Sequence, residues 1–331
     1  MDIGKYAVIL TPDGGNRYLK GHKLLNRLPD RWTNLIMKHA NPYAICQITG
    51  SDQNDVLGYV YDLPGFENQD NLSPKRRLRY IKTLIRQLNE ANISIIAFPF
   101  YRDFFYEDEI QILKDNDFII LDGNKMRIAT MTASFIRMIK MVKKEKMARM
   151  GGAIWGCDND IGYVWLNLLA PYFNDLIIGG QDINTLRKFG DDILIKTGLS
   201  CQITDDMNVC SKGRNLIVIA DDIKADDIKS KIIFKSYSLS HIKDIENCNS
   251  KSPPIAVLSG YIDMPEDIYI DTKLNTWDKL AVIDGLFYIM SRSYREVVDN
   301  TIIGPNDIEA ILKLLDLYNS LNIIRPYNSI I

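Results

Sequence analysis

The chain has 331 residues, of which 46% are hydrophobic and 25% are charged, a balance typical of a globular protein that buries its core without disulfides or metal. Because 40 basic residues face 42 acidic ones, the formal net charge is −2, and no global attraction to nucleic acid or anionic lipid is expected. The length favours two domains. We therefore predict neither a nucleic-acid nor a membrane partner.

The numbers and spacing of cysteine and histidine residues indicate the redox state of the thiols and whether a metal site is expected. The five cysteines are widely spaced without a CxxC pair, and there are three histidines, so free thiols and no metal site are expected. The first residues, MDIGKYAVILTPDGG, lack the basic region and apolar core of a signal peptide. No stretch approaches the roughly 18 apolar residues of a membrane span. We expect a cytoplasmic protein, and a homo-oligomer is compatible with this sequence.

The first half alternates strand-like and helix-like segments, which favours a parallel sheet. Ser73-Pro74 opens a helix whose apolar residues recur at three- and four-residue steps. The expected strands are Tyr43 to Thr49, Val56 to Asp62, Ile93 to Phe100 and Phe118 to Leu121, and a polar helical stretch spans Tyr106 to Asn116.

Two basic segments admit a nucleic-acid interpretation. One is a long helix predicted over Thr130 to Met150, and the other is the run Lys75, Arg76, Arg77 and Arg79. Aromatic residues are not interleaved with these cations, so a solvated helix face is the favoured interpretation of both. The long helix is expected to bridge the two domains.

The middle of the chain contains a nucleotide-binding pattern. A short strand, Gly151 to Trp155, runs into the loop GCDNDIG at 156–162 and then into a helix. Strands follow at Asp175 to Gly180, Ser200 to Thr204, Asn215 to Ala220 and Ile255 to Ser259, with a helix at Ile183 to Lys196. A strand, a tight turn and a helix amino terminus together place backbone N–H groups and a positive dipole against a pyrophosphate. This pattern predicts a Rossmann-type domain.

The loop departs from the usual glycine fingerprint. Gly156 and Gly162 fill the first and third glycine positions, and Asn159 replaces the middle glycine. Asparagine tolerates positive φ, so the turn can survive, but its side chain is expected to crowd the phosphates. The alternative is an α/β domain whose loop binds nothing.

The chain resembles the long-chain acyl-carrier-protein reductases and the related shikimate-dehydrogenase-like proteins. The motifs similar to that group are LPDR at 28–31, QITG at 47–50, GYV at 58–60, Gly123-Asn124, and GCDNDIG against its GATGDIG. The resemblance implies an NAD(P)-dependent oxidoreductase acting on a carbonyl or acyl-derived small molecule.

Three departures from that group bear on activity. The reductases carry an acyl-accepting cysteine in the carboxy-terminal helical region, where this chain has Val282. The arginine that would bind the 2′-phosphate of NADP is replaced by Gln181-Asp182, which favours NAD, since Asp182 can bond a ribose hydroxyl and repel that phosphate. Ala220 is followed by Asp221-Asp222, whose carboxylates would weaken pyrophosphate binding. A degenerate member with a binding or regulatory role, and with no cofactor, is therefore the alternative function.

Further candidates lie at strand ends. Asp122, Asn124 and Lys125 follow a strand and offer a Lys-Asp pair for proton transfer, although Asp-Gly-Asn is also a common turn and the turn is favoured. Tyr261 is a candidate donor to a carbonyl oxygen or a packing residue. Cys157 is a candidate reactive thiol, with a buried space-filler favoured. The candidate cofactor-binding residues are Gly156, Cys157, Asn159, Asp160, Ile161, Gly162, Gln181, Asp182, Ala220 and Asp221.

The sequence thus predicts an α/β protein of two domains, the second a Rossmann-type doubly wound parallel sheet. The expected boundaries are 1–148 for a substrate-type domain and 149–290 for the NAD(P)-binding domain. The remaining residues, 291–331, include an amphipathic helix at Asn306 to Leu321 and are expected to pack back on the first domain.

Overall fold

A computed structural model describes residues 4–11, 29, 32, 36, 39–52, 55–64, 66, 72–99, 105–141, 149–221, 228, 230–236, 255–260, 262–300, 303–317 and 326–328. The strands are β1 (Lys5–Ile9), β2 (Tyr43–Thr49), β3 (Val56–Asp62), β4 (Ile93–Ala97), β5 (Ile119–Leu121), β6 (Gly151–Trp155), β7 (Asp175–Gly179), β8 (Gln202–Thr204), β9 (Leu216–Ile219), β10 (Ile232–Lys235), β11 (Ile255–Gly260), β12 (Tyr269–Ile270) and β13 (Pro326–Asn328). The helices are α1 (Pro74–Glu90), α2 (Glu107–Lys114), α3 (Asn124–Met141), α4 (Asp160–Leu169), α5 (Ile183–Thr197), α6 (Met207–Ser211), α7 (Thr276–Met290), α8 (Arg292–Val298) and α9 (Pro305–Leu317).

The chain divides into two compact units, Met1–Gly123 with Met264–Asp299, and Asn124–Asp263 with Asn300–Ile331. This division differs from the boundaries expected from the sequence. The helix predicted over 130–150 begins at Asn124, directly after Gly123, and belongs wholly to the second unit. The helix α7 belongs to the first unit, because its side chains are buried on nearly every face and Gly285 lets it pack directly on Tyr6.

The first unit contains a six-stranded sheet in the order β12-β2-β3-β1-β4-β5. The strands β3, β1, β4 and β5 are parallel; at one edge β2 pairs antiparallel with β3, and β12 pairs antiparallel with β2. The helices α1 and α2 cover a core that the sheet shares with aromatic residues from the connecting segments.

The second unit contains a seven-stranded sheet in the order β13-β11-β10-β9-β6-β7-β8. The strands β6 to β11 are all parallel, and β13 pairs antiparallel with β11. Counted from β6, the parallel order is 3-2-1-4-5-6, the order of a dinucleotide-binding sheet. The second unit is a Rossmann-type doubly wound sheet. The strand β10 and the edge strand β13 complete it and were not among the predicted elements.

The helices of the described chain do not include a membrane-crossing segment: none of them combines sufficient length with sufficient apolar character. Within the same residues, no three histidine, cysteine or acidic side chains converge as a metal site.

A buried ion pair joins α1 and α2 in the first unit. The guanidinium of Arg77 donates to both carboxylate oxygens of Glu109, at 2.7 and 2.6 Å, and the two side chains are 1% and 7% exposed. The guanidinium also lies 4.2 Å from the centre of the Phe66 ring and 4.7 Å from that of Tyr106. Arg77 is therefore not part of a solvated basic face, which corrects the interpretation made from the sequence.

We expect Arg77→Leu to lower the free energy of unfolding by about 3–5 kcal/mol, because Glu109 would keep a buried charge without its partner. The double variant Arg77→Leu with Glu109→Leu should recover part of that loss. The control is Arg86→Gln, since the ion pair of Arg86 with Glu90 is 69% exposed on both sides and should contribute less than about 1 kcal/mol. Urea unfolding followed by circular dichroism measures all four proteins. A loss no larger for Arg77→Leu than for the control would contradict this account.

Candidate functional site

The loop after β6 lies at the topological switch point of the second sheet. The chain continues from β6 to β7 on one side, and β9 pairs with the other side of β6. Ligands of open α/β sheets bind at the carboxyl ends of strands where the strand order reverses in this way. The sequence-predicted loop therefore begins where a ligand is expected.

Two glycines shape this loop. Gly156 has φ +76°, and a side chain there would bring its Cβ to 2.8 Å from the Cβ of Asp221. Gly162 lies in the first turn of α4, where an added Cβ would overlap the carbonyl oxygen of Gly156. These are the roles that a tight turn and a close strand–helix approach require of the first and third fingerprint glycines.

Asn159 caps a helix instead of occupying a positive-φ turn position beside the phosphates. Its φ is −115°, so it does not use the positive φ that the sequence analysis allowed. It is the N-cap of α4: its Oδ1 accepts the Gly162 N–H at 2.9 Å, and its Nδ2 donates to the Ala220 carbonyl at 2.8 Å. The side chain is thus folded into the protein, and it ties the loop to the end of β9 across the switch point.

The open part of the loop is the beginning of α4. The amides of Asp160 and Ile161 have no acceptor among the described residues, Asp160 is exposed, and Ile161 is half-buried. Unsatisfied amides at a helix amino terminus, with the positive end of the helix dipole, favour an anionic group. The carboxylate of Asp160 opposes this attraction.

The end of β7 lies beside the loop and is also acidic. Asp182 is the N-cap of α5, and its carboxylate accepts the Asn184 and Thr185 amides and the Thr185 hydroxyl. The hydroxyl and amide of Thr185 lower the pKa of Asp182. The predicted ribose-binding carboxylate therefore has a structural task within its own helix, and Gln181 beside it is exposed.

Cys157 is a buried packing residue. Its amide donates to the Gly179 carbonyl at 2.9 Å, and its side chain is 0% exposed. Burial raises the pKa of the thiol well above its usual range, and the neighbouring Cys201 raises it further. A thiol in this state is a poor nucleophile, so the structure favours the space-filling interpretation.

The candidate catalytic residues Asp122, Asn124 and Lys125 follow one another at the boundary of the two units. Asp122 is half-buried after β5 in the first unit, and Gly123, at φ +70°, forms the turn that the sequence favoured. Asn124 and Lys125 begin α3 in the second unit, where the buried Lys125 ammonium donates to the Asn300 carbonyl at 2.6 Å. Tyr261 and Asp222 lie outside the described residues.

Val282, at the position of the family's acyl-accepting cysteine, is fully buried in α7. Its carbonyl accepts the hydroxyl of Tyr6 at 3.2 Å. The residue packs in the first unit's core and offers no nucleophile.

Comparisons with known proteins give no family match and only weak structural likenesses. No protein-family model matches the chain, and a search of curated proteins gives no match. Among solved structures, L-tryptophan dehydrogenase from Nostoc punctiforme is 10% identical with a TM-score of 0.37, covering 96% of this chain and 89% of that one. The ornithine carbamoyltransferase of Campylobacter jejuni subsp. jejuni NCTC 11168 is 10% identical (TM-score 0.33, 86% of each chain). The 5-ketofructose reductase of Gluconobacter sp. strain CHM43 is 9% identical (TM-score 0.29, 94% of this chain and 98% of that one). Likenesses at this level carry no inference about activity.

Two helical glycines test the loop geometry. Gly162→Ala should lower the free energy of unfolding of the second unit by about 1–3 kcal/mol, since the new methyl group meets the backbone of Gly156 and Cys157. Gly190, in the middle of α5, is the matched control: an added Cβ would lie 3.6 Å from Ile203 and 3.7 Å from Ile178, an ordinary contact. Gly190→Ala should be neutral or stabilising by up to about 1 kcal/mol. Equal melting temperatures for the two variants would show that the loop is not packed as described.

Proposed function

We propose that the second unit binds a nicotinamide dinucleotide at the loop 156–162, and that the protein is an NAD(P)-dependent oxidoreductase acting on a carbonyl or acyl-derived small molecule. The observation that carries the proposal is that the Asp160 and Ile161 amides, at the switch point after the Gly156 turn, have no acceptor among the residues that the structure describes. The diphosphate would be held by these amides and by the dipole of α4. The nicotinamide would supply hydride transfer when bound.

The shape of the loop fits the diphosphate of a dinucleotide, but the negative charges of the site repel that diphosphate. Gly156 and Gly162 provide the close backbone approach, and Asn159 keeps its side chain out of the loop's open side by capping α4. Asp160 at the loop and Asp221 beside Gly156 each add a carboxylate. A dinucleotide is therefore expected to bind more weakly here than at a loop without these charges.

A second candidate function is a non-catalytic one, in which the fold is kept for binding or regulation. It is favoured because the protein's own side chains accept hydrogen bonds from backbone amides that a ligand would otherwise use. Asn159 accepts the Gly162 amide, and Asp158 accepts the amides of Gln181 and Asp182. The acyl-accepting cysteine is also replaced by the buried Val282. Reduction of any aldehyde, ketone or thioester with a reduced nicotinamide cofactor would eliminate this candidate.

Thermal-shift measurements with NAD, NADH, NADP and NADPH test the first proposal. A ligand at about one hundred times its Kd should stabilise the folded state by about 2.7 kcal/mol, which raises the melting temperature by several degrees. Absence of any shift, with no binding by calorimetry, would remove the proposal.

Asp160→Asn locates the binding. Loss of a carboxylate next to the open amides should tighten the dinucleotide about fivefold, which corresponds to roughly 1 kcal/mol of removed repulsion. Asp191→Asn is the matched control, because Asp191 is exposed on α5, eight residues and about 12 Å beyond the beginning of that helix. An equal effect of both variants would place the dinucleotide elsewhere.

A further inference from the structure

One loop carboxylate binds the two backbone amides that immediately precede α5. The Oδ2 atom of Asp158 accepts the backbone N–H of Gln181 at 2.7 Å and that of Asp182 at 2.9 Å. Asp158 is half-buried and lies between Gly156 and Asn159 in the loop. It therefore joins the loop after β6 to the turn after β7.

The contact depends on Gly180. An added Cβ at this position would overlap the Asp158 carboxylate, so only glycine lets the carboxylate reach the two amides. The amide of Gly180 also bonds the carbonyl of Thr204 at 3.3 Å, which holds this turn against the end of β8. The backbone of the turn after β7, which is held against the end of β8, thus fixes the position of the Asp158 carboxylate.

The strand β7 is the second strand of the Rossmann order, and the adenosine ribose of a dinucleotide lies at the carboxyl end of that strand. Two amides converging in the turn before a helix would suit a phosphate on that ribose. Here they already bind a carboxylate, and the Asp182 carboxylate lies in the same turn. A 2′-phosphate would have to displace one negative charge and approach another.

We infer that Asp158 is a specificity-determining residue that excludes a 2′-phosphate, so that the dinucleotide taken by this chain is one with a free ribose 2′-hydroxyl. The inference rests on the proposed function, since it concerns the same site. It assigns the selection to a residue inside the phosphate loop, in addition to Gln181 and Asp182 after the second strand.

Two variants test the inference by isothermal titration calorimetry with NAD and with NADP. Asp158→Asn keeps an oxygen acceptor for the two amides and removes the charge, so the ratio of Kd for NADP to Kd for NAD should fall about tenfold. Asp158→Ala leaves both amides open, and the ratio should fall further. The ratio for Asp191→Asn should stay at the wild-type value, and circular dichroism melts establish that each variant is folded.

The outcomes separate the two proposals. A loss of stability alone, with an unchanged NADP-to-NAD ratio in Asp158→Asn, would mean that Asp158 is purely structural and would overturn the inference while leaving dinucleotide binding intact. A wild-type protein that prefers NADP would overturn it directly. If neither the wild type nor any variant binds either dinucleotide, the proposed function fails and the inference fails with it.

Discussion

The tight bend between β6 and α4 is the constraint on which the rest of the second unit's site depends. Gly162 must lie against the Gly156 carbonyl for α4 to begin where it does, and Gly156 must take positive φ for the chain to turn there. Given that bend, Asn159 reaches both its own helix and the Ala220 carbonyl at the end of β9. One turn thus fixes the loop against the strands on either side of the switch point.

The same bend also brings several carboxylates to the site. It brings Asp158 over the end of β7 and leaves Asp160 at the first helical position, while Asp221 follows β9 beside Gly156. Helix amino termini attract anions, and nearby carboxylates offset that attraction. Under the proposed function, we expect the balance of these two effects to determine how tightly a dinucleotide binds.

Much of this arrangement follows from sequence patterns. The glycine positions, the strand before them and the apolar helix after them predicted the Rossmann-type unit, and the strand order confirms that fold. The capping role of Asp182 also has a local signal, an acidic residue immediately before a helix. Burial of Arg77 had none, because its partner Glu109 lies 32 residues away on another helix.

Other features needed the three-dimensional structure for a physical reason. Asn159 was expected to crowd a phosphate, but side-chain direction depends on the neighbouring Ala220 carbonyl, which is distant in sequence. Asp158 bonds amides 23 and 24 residues further along the chain, and no local pattern marks it. The four-residue strand β10 is too short to show a period, and it is placed by pairing with β9 and β11.

Hydrogen–deuterium exchange of the full chain with and without NAD tests the central claim most directly. If the bend holds a diphosphate, peptides covering 156–162 should exchange more slowly in the presence of NAD, because the amides of Asp160 and Ile161 become hydrogen-bonded. Protection confined to other parts of the chain, with unchanged exchange at 156–162, would contradict the account.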